Sequence, residues 1–322
     1  MNRDNFIKTN YNEPFIIQRA DPYVYKHKDG TYLFTGSVPE YDRIVLRQSS
    51  TLDGLKDADE VTIWKKHEQG IMSMHIWAPE IHYIEGKWFI YYAAGDKDDI
   101  WAIRPYVLEC SGKDPLKDPW KELGQMQASD DFSFRDFSLD MTVFENRGIW
   151  YCVWAEKVSV GKKISNLYIA EMESPVRLST PQVLLSSPDY DWERVDFWVN
   201  EGPALLRHAG MLYLTYSASA TGACYCMGML SIPDDEELLN PRVWKKERIP
   251  VLRTDWKKGI LGPGHNSFTK SEDGAADIMI YHARQYDEIT GDPLYDPNRH
   301  VYRMKIMWDE EGCPVFSFEN NF

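Results

Sequence analysis

The chain has no apolar run long enough to cross a bilayer; the stretch from Trp88 to Ala94 has the length of a strand. It has no regular cysteine framework either. Its five cysteines (Cys110, Cys152, Cys224, Cys226 and Cys313) are odd in number and irregularly spaced, without a CxxC pair, which argues against a zinc site. Cys224 and Cys226 are too close along one strand to bridge, and Cys152 reads as a small buried hydrophobe. No Asn-x-Ser/Thr acceptor occurs, and Met1 to Phe6 lacks the apolar core of a signal peptide. The expectation is a soluble, cytoplasmic protein, or a secreted one whose leader lies outside this sequence. Basic residues are in deficit, 36 against 50 acidic, for a formal charge of -14. Such a surface repels nucleic acid and anionic membrane, so neither is expected as a partner.

Aromatic residues are abundant, at 14% with 12 Trp and 19 Tyr. They suit sheet faces and also stacking on flat ligands such as sugar rings. They recur in a unit made of a short apolar strand, a turn and a second aromatic strand. The unit begins at Asp21-Pro22-Tyr23-Val24-Tyr25 and returns from Trp77, Leu139, Glu201 and Gly264, at intervals of about 60 residues. Two further strand patterns follow each pair, and proline punctuates the turns at Pro119, Pro181, Pro241 and Pro314. The period predicts an all-β, five-bladed β-propeller with four antiparallel strands per blade. One domain would fill residues 1–322, with blades at 16–66, 77–124, 138–186, 200–251 and 262–318. The ring would close by packing between the first and last blades, without an exchanged strand. The only helical candidates are short, for example residues 233–239. Loops at 67–76, 96–103, 125–137, 186–199 and 285–299 would form the rim of one face.

Inner strands of a propeller converge on a central channel, so residues at their starts become neighbours. Three of the five starts carry a carboxylate: Asp21, Asp140 and Glu201; Ala78 and His265 stand at the other two. A single Asp at a strand start is ordinarily a turn residue. Three together against apolar strands are costly unless used, because like charges raise at least one pKa. An acid and a base then coexist near neutral pH, as glycoside hydrolysis requires.

Several stretches carry a resemblance: Ala20-Asp21-Pro22, Trp77-Ala78-Pro79, Ser138-Leu139-Asp140, Asn200-Glu201-Gly202-Pro203 and Gly262-Pro263-Gly264-His265-Asn266. In this order and spacing they resemble glycoside hydrolase family 43 across essentially the whole chain. The resemblance implies an inverting mechanism. Asp21 would be the general base that activates water, and Glu201 the general acid. Asp140 would hold Glu201 at a raised pKa and orient it. His265 resembles a channel histidine that in many members contacts a calcium ion or a water cluster; a satisfied structural histidine is the plainer alternative. Calcium there would be structural and mostly water-bound, since imidazole is a poor ligand for so hard an ion; no cofactor is required for the chemistry. Arg284, in Tyr281-His282-Ala283-Arg284, resembles an arginine that donates to the sugar, where a surface ion pair is the alternative. Trp77 could face the pocket or pack in the core, and Trp101 is a second stacking candidate.

The stretches at 34–43 and 217–222 look most like those of α-L-arabinofuranosidases. The expected activity is exo-acting release of terminal α-L-arabinofuranosyl residues from arabinan, arabinoxylan or their oligosaccharides. The alternatives are a β-D-xylosidase, an enzyme with both activities, a sugar-binding propeller without catalysis, and a protein-binding scaffold. Inversion needs space for a water between base and acid, so the Asp21 and Glu201 carboxyls are expected about 6.5–9.5 Å apart.

Overall fold

A computed structural model describes residues 13–158 and 164–320, and they are built almost entirely of strands. The first antiparallel set is β1 (Ala20–Lys26), β2 (Tyr32–Ser37), β3 (Arg43–Ser49) and β4 (Val61–Lys65), hydrogen-bonded in that order. The second repeats the pattern with β5 (Met74–Ile84), β6 (Lys87–Gly95), β7 (Arg104–Cys110) and β8 (Lys121–Gln125). The third comprises β9 (Ser138–Asn146), β10 (Ile149–Val158) and β11 (Ile164–Ser174), with the short β12 (Arg177–Leu178) and β13 (Val183–Ser186) both on β11. The fourth is β14 (Trp198–His208), β15 (Met211–Ala218), β16 (Cys226–Pro233) and β17 (Lys245–Lys246). A short parallel contact, Ile164 with Trp198 and Ser165 with Val199, joins the third and fourth sets into one sheet.

The fifth set departs from expectation. It has three strands, β18 (Leu261–Lys270), β19 (Asp277–Arg284) and β20 (His300–Lys305), and the last pair, β21 (Met307–Trp308) and β22 (Pro314–Val315), forms a separate hairpin. The expected helix over 233–239 is absent: Pro233 ends β16 and residues 234–239 form turns and bends. The segment is too short to repay helix nucleation and runs into Asn240-Pro241. Among the described residues, helix is limited to short 3-10 turns such as Asp53–Leu55 and Pro293–Tyr295.

Burial follows the junctions between sets. Leu33 and Ile44 meet Ile81 and Ile90, and Tyr91 and Val107 meet Val143 and Trp154. Val153 and Ile169 meet Leu214 and Leu230, and Leu206 and Tyr213 meet Met279 and Tyr281. The last junction returns to the start: Phe15, Ile16, Val24 and Phe34 pack with Ile278, Ile280 and Val301. Each sheet buries both faces, which explains strands that are apolar at successive positions rather than alternately.

That last junction is more than packing. Ile16 forms an antiparallel bridge with Val301, through Val301 N–H to the Ile16 carbonyl at 2.8 Å and Phe15 N–H to the Val301 carbonyl at 2.7 Å. Val24 N–H donates to Ser267 Oγ at 3.2 Å. The segment before β1 is therefore tied to β20 by backbone hydrogen bonds, and β1 to β18 through the Ser267 hydroxyl, which the sequence reading did not foresee. Ile16→Ala should remove about 2–5 kcal/mol of unfolding free energy. Urea denaturation measures it, and a loss below about 0.5 kcal/mol would show that side-chain packing at this junction does not hold the fold together.

Candidate active site

The innermost strand of every set carries the same irregularity. Three residues of the inner strand face two of its partner from Ala20 to Tyr23, Trp77 to Glu80, Leu139 to Thr142, Glu201 to Ala204 and Gly264 to Ser267. These are β-bulges, and the residue after the first anchor adopts the left-handed conformation: Asp21, Ala78, Asp140, Gly202 and His265, with φ between 40° and 56°. Asp21, Asp140 and His265 thus share one repeat position. Glu201 does not. It stands one residue earlier, at the position of Ala20, Trp77 and Leu139, while Gly202 takes the left-handed position. A Cβ on Gly202 would lie 3.1 Å from His265 Cγ, so glycine there admits both the backbone conformation and the imidazole.

A bulge takes an amide out of the ladder, and the neighbouring set collects it. Asp21 N–H donates to His282 Nδ1 on β19 at 3.0 Å. Ala78 N–H donates to Ser37 Oγ on β2 at 2.8 Å, and His265 N–H to Ser217 Oγ on β15 at 2.7 Å. Gly202 N–H donates to Asp140 Oδ2 at 3.0 Å. Ser37 Oγ also donates to Asp21 Oδ2 at 2.6 Å. These bonds pass from set to set around the place where the inner strands meet.

Asp21, Asp140, Glu201 and His265 all line one cavity of about 830 Å³. Asp21 Oδ1 lies 3.2 Å from His265 Nδ1 and 3.5 Å from Arg299 Nη1. Glu201 Oε1 accepts from the Tyr225 hydroxyl at 2.9 Å. The three carboxyls are not equivalent. Burial alone would raise Asp21, but His265, Arg299, His282 and the Ser37 hydroxyl bring it down to about 2. Burial pushes Asp140 up to about 7; the charges of Glu201 and Asp21 add to this, against His265 and the Gly202 amide. Burial likewise raises Glu201, although His265, Tyr225 and Lys157 oppose it. His265 is raised despite burial, because carboxylates surround it. Burial and Arg299 hold His282 neutral, consistent with its Nδ1 accepting the Asp21 amide. Asp21 is therefore ionised near neutral pH, its neighbours favour the cationic form of His265, and Asp140 and Glu201 are both shifted toward their protonated forms.

One wall of the cavity is aromatic. Trp77 is 6% exposed, stacks on His75 with centroids 4.4 Å apart, and lines the cavity with Trp101 and Phe137. Trp101, 47% exposed, sits at the mouth. The rim comes from four of the five expected loops, through Trp101, Phe137, Phe197 and Trp198, and Asp292 with Leu294. The 67–76 loop supplies only His75, behind Trp77.

The family's sequence profile, glycosyl hydrolases family 43, matches residues 11–314. The chain belongs to that family. It is 49% identical over 306 residues to an extracellular exo-alpha-(1->5)-L-arabinofuranosidase of Streptomyces avermitilis, covering 95% of this chain but 63% of that protein. It is 48% identical over 283 residues to one of the same name from Streptomyces chartreusis, covering 88% of this chain and 85% of that one. The crystal structure of an α-L-arabinofuranosidase from Lactobacillus brevis superposes with a TM-score of 0.90 at 50% identity, over 96% of each chain. The two Streptomyces relatives are named as extracellular, so they lend no support to the expected cytoplasmic location. Among the described residues no helix is long and apolar enough to cross a membrane.

Against this family background two expected residues read differently. Arg284 does not line the cavity. Its Nε donates to Asp296 Oδ1 at 3.2 Å, Nη2 to the Pro293 carbonyl at 2.7 Å and Nη1 to the Thr221 carbonyl, so it pins two rim loops. The arginine in the cavity is Arg299, buried, with Nη2 on the Tyr41 hydroxyl at 2.6 Å and Nε unpaired among the described residues. Its place at the end of a long loop gave the sequence no motif. His265 is the second case. Its Nδ1 lies 3.2 Å from Asp21 Oδ1 and 3.8 Å from Asp140 Oδ2. Among the described residues no three His, Cys, Asp or Glu side chains are grouped to hold a metal ion. The ring thus sits among the carboxyls of the site. The five cysteines are all free thiols.

Gly202→Ala should force a Cβ onto the His265 ring and a side chain into a left-handed backbone, costing about 1–3 kcal/mol. It should also lower glycosidase kcat by at least about tenfold, because Glu201 is the adjoining residue. Urea denaturation and steady-state rates on an aryl glycoside check both; unchanged values would remove the bulge from the account.

Proposed function

We propose that this chain is an inverting, exo-acting α-L-arabinofuranosidase, built as one five-bladed β-propeller with the cavity at the central axis. Its substrates would be arabinose-containing oligo- or polysaccharides. The observation that carries the reading is the division of protons in one cavity: Asp21 held at about 2, Asp140 and Glu201 both raised. Inverting hydrolysis needs that division. Asp21 accepts a proton from water, and the water oxygen bonds to the anomeric carbon. The electrons of the glycosidic bond go to the leaving oxygen, which takes the proton of Glu201. Asp140 keeps that proton available and orients Glu201 through the adjoining Gly202 amide. Arg299 and Trp77 take the sugar-binding roles, and Trp101 stacks further out. A cavity of about 830 Å³ exceeds one pentose, leaving room for the leaving sugar beside Phe197 and Trp198.

Proton NMR of the first-formed product anomer, on arabino-oligosaccharides, tests the mechanism. Inverted configuration is expected and retained configuration would refute it. Glu201→Gln should lower kcat by at least about a hundredfold with binding nearly intact. If aryl β-D-xyloside is cleaved much faster than aryl α-L-arabinofuranoside, the substrate assignment passes to the xylosidase reading.

The pH profile follows from the same shifts. The base is ionised above about pH 2, and the acid is competent until Glu201 loses its proton. The rate should therefore hold through weakly acidic pH and fall on the alkaline side, above the ordinary carboxyl range, as the raised Glu201 loses its proton. An acidic limb with its midpoint between about pH 4 and 6, where unperturbed carboxyls begin to matter, would contradict the assignment of Asp21.

A further inference from the structure

Lys157, near the end of β10, belongs to none of the motifs that mark the site, yet it lines the same cavity as Asp140 and Glu201. Its backbone is fixed by a 2.8 Å hydrogen bond from its N–H to the Phe137 carbonyl, and its Nζ rests 4.0 Å from the centroid of the Phe137 ring. It is half-buried and, among the described residues, makes no ion pair within 4.0 Å. A half-buried lysine seated on an aromatic face, without a close ion pair, is an expensive arrangement unless the charge is used.

We infer that Lys157 is a positioning charge for the acid step: it acts through Glu201, stabilising the carboxylate that forms as the proton passes to the leaving oxygen. The inference rests on the acid role proposed for Glu201. In that step Glu201 goes from neutral to negative while Asp21 goes from negative to neutral, so negative charge moves across the cavity. Asp21 has His265 and Arg299 on its side. Glu201 faces the Tyr225 hydroxyl, His265, Lys157, Asp21 and Asp140, and Asp196 shares its cavity wall. Of these, Lys157 and His265 are the cations, and His265 is engaged by Asp21 at 3.2 Å and lies 3.8 Å from Asp140. His265 exerts the larger pull on Glu201, but it is shared with Asp21 and Asp140, whereas Lys157 has no carboxylate within ion-pair distance among the described residues. Burial lowers its own pKa, and Glu201 and Asp140 oppose this only in part.

The signs are fixed. Removing the cation disfavours ionised Glu201, so its proton is held to higher pH but given up less readily. Leaving groups that depend on protonation, such as a sugar alkoxide, suffer most; a nitrophenolate leaves with little help. In Lys157→Met the alkaline limb of kcat/KM should move up by about one pH unit. The rate on arabinobiose should fall by about tenfold or more and the rate on 4-nitrophenyl α-L-arabinofuranoside by less than about threefold. Lys157→Arg, which keeps the charge on the Phe137 face, should restore the limb and the ratio of the two rates. Equal losses on both substrates in both variants, or an unmoved limb in Lys157→Met, would overturn the proposal. Glu201→Gln run alongside separates the two claims: if it retains full activity on arabinobiose, the acid assignment fails and this role falls with it. If it is inactive while Lys157→Met is normal, only the role of Lys157 is lost.

Discussion

The structure depends on the bulge that interrupts each inner strand. Five times the chain forces one residue into the left-handed region, at four of them a residue with a side chain. Each of those costs about 1–2 kcal/mol relative to extended backbone. At Asp21, Ala78 and His265 the cost is offset because the freed amide is taken by His282, Ser37 or Ser217 of the neighbouring set, and the Gly202 amide is taken likewise by Asp140. A typical hydrogen bond contributes only about 1 kcal/mol, but a buried amide without one would cost more, so these acceptors are hard to replace. The bulge also turns the side chains of Asp21, Asp140 and His265 toward the shared cavity. The same defect thus stitches the sets together and assembles the site.

Electrostatics then divides labour among carboxyls brought close by that geometry. Desolvation alone would neutralise all three. Asp21 escapes because His265, Arg299, His282 and Ser37 converge on it, whereas Asp140 and Glu201 have fewer cations between them. His265 matters most here: its imidazolium is nearest to Asp21, and Gly202 is a glycine because that ring packs against it.

The period of the sequence exposed the repeated architecture, and the acids at strand starts exposed the candidate site, because both are local signals. β3 and β20 fell at the expected residues, while the last strands of the fifth set did not pair as expected, since periodicity says nothing about which strand accepts which. The one-residue offset of Glu201 was invisible, because a bulge is set by φ rather than by composition. Ser37 and Ser217 lay in stretches noticed for their resemblance to arabinofuranosidases, and Tyr225 just beyond one, but their partners are far away in sequence. Arg299 and Arg284 show the same limit. Both are buried arginines near one loop, and only the three-dimensional arrangement distinguishes the one facing Asp21 from the one pinning loops.

The central claim is that one cavity keeps a carboxylate and a carboxylic acid side by side at the same pH. Carbon-13 NMR of protein labelled at aspartate side-chain carboxyls measures this directly, with Asp21→Asn and Asp140→Asn variants assigning the signals. The account predicts that the Asp21 carboxyl stays ionised down to about pH 2 while that of Asp140 titrates near 7. Both titrating together in the ordinary range around pH 4 would contradict it.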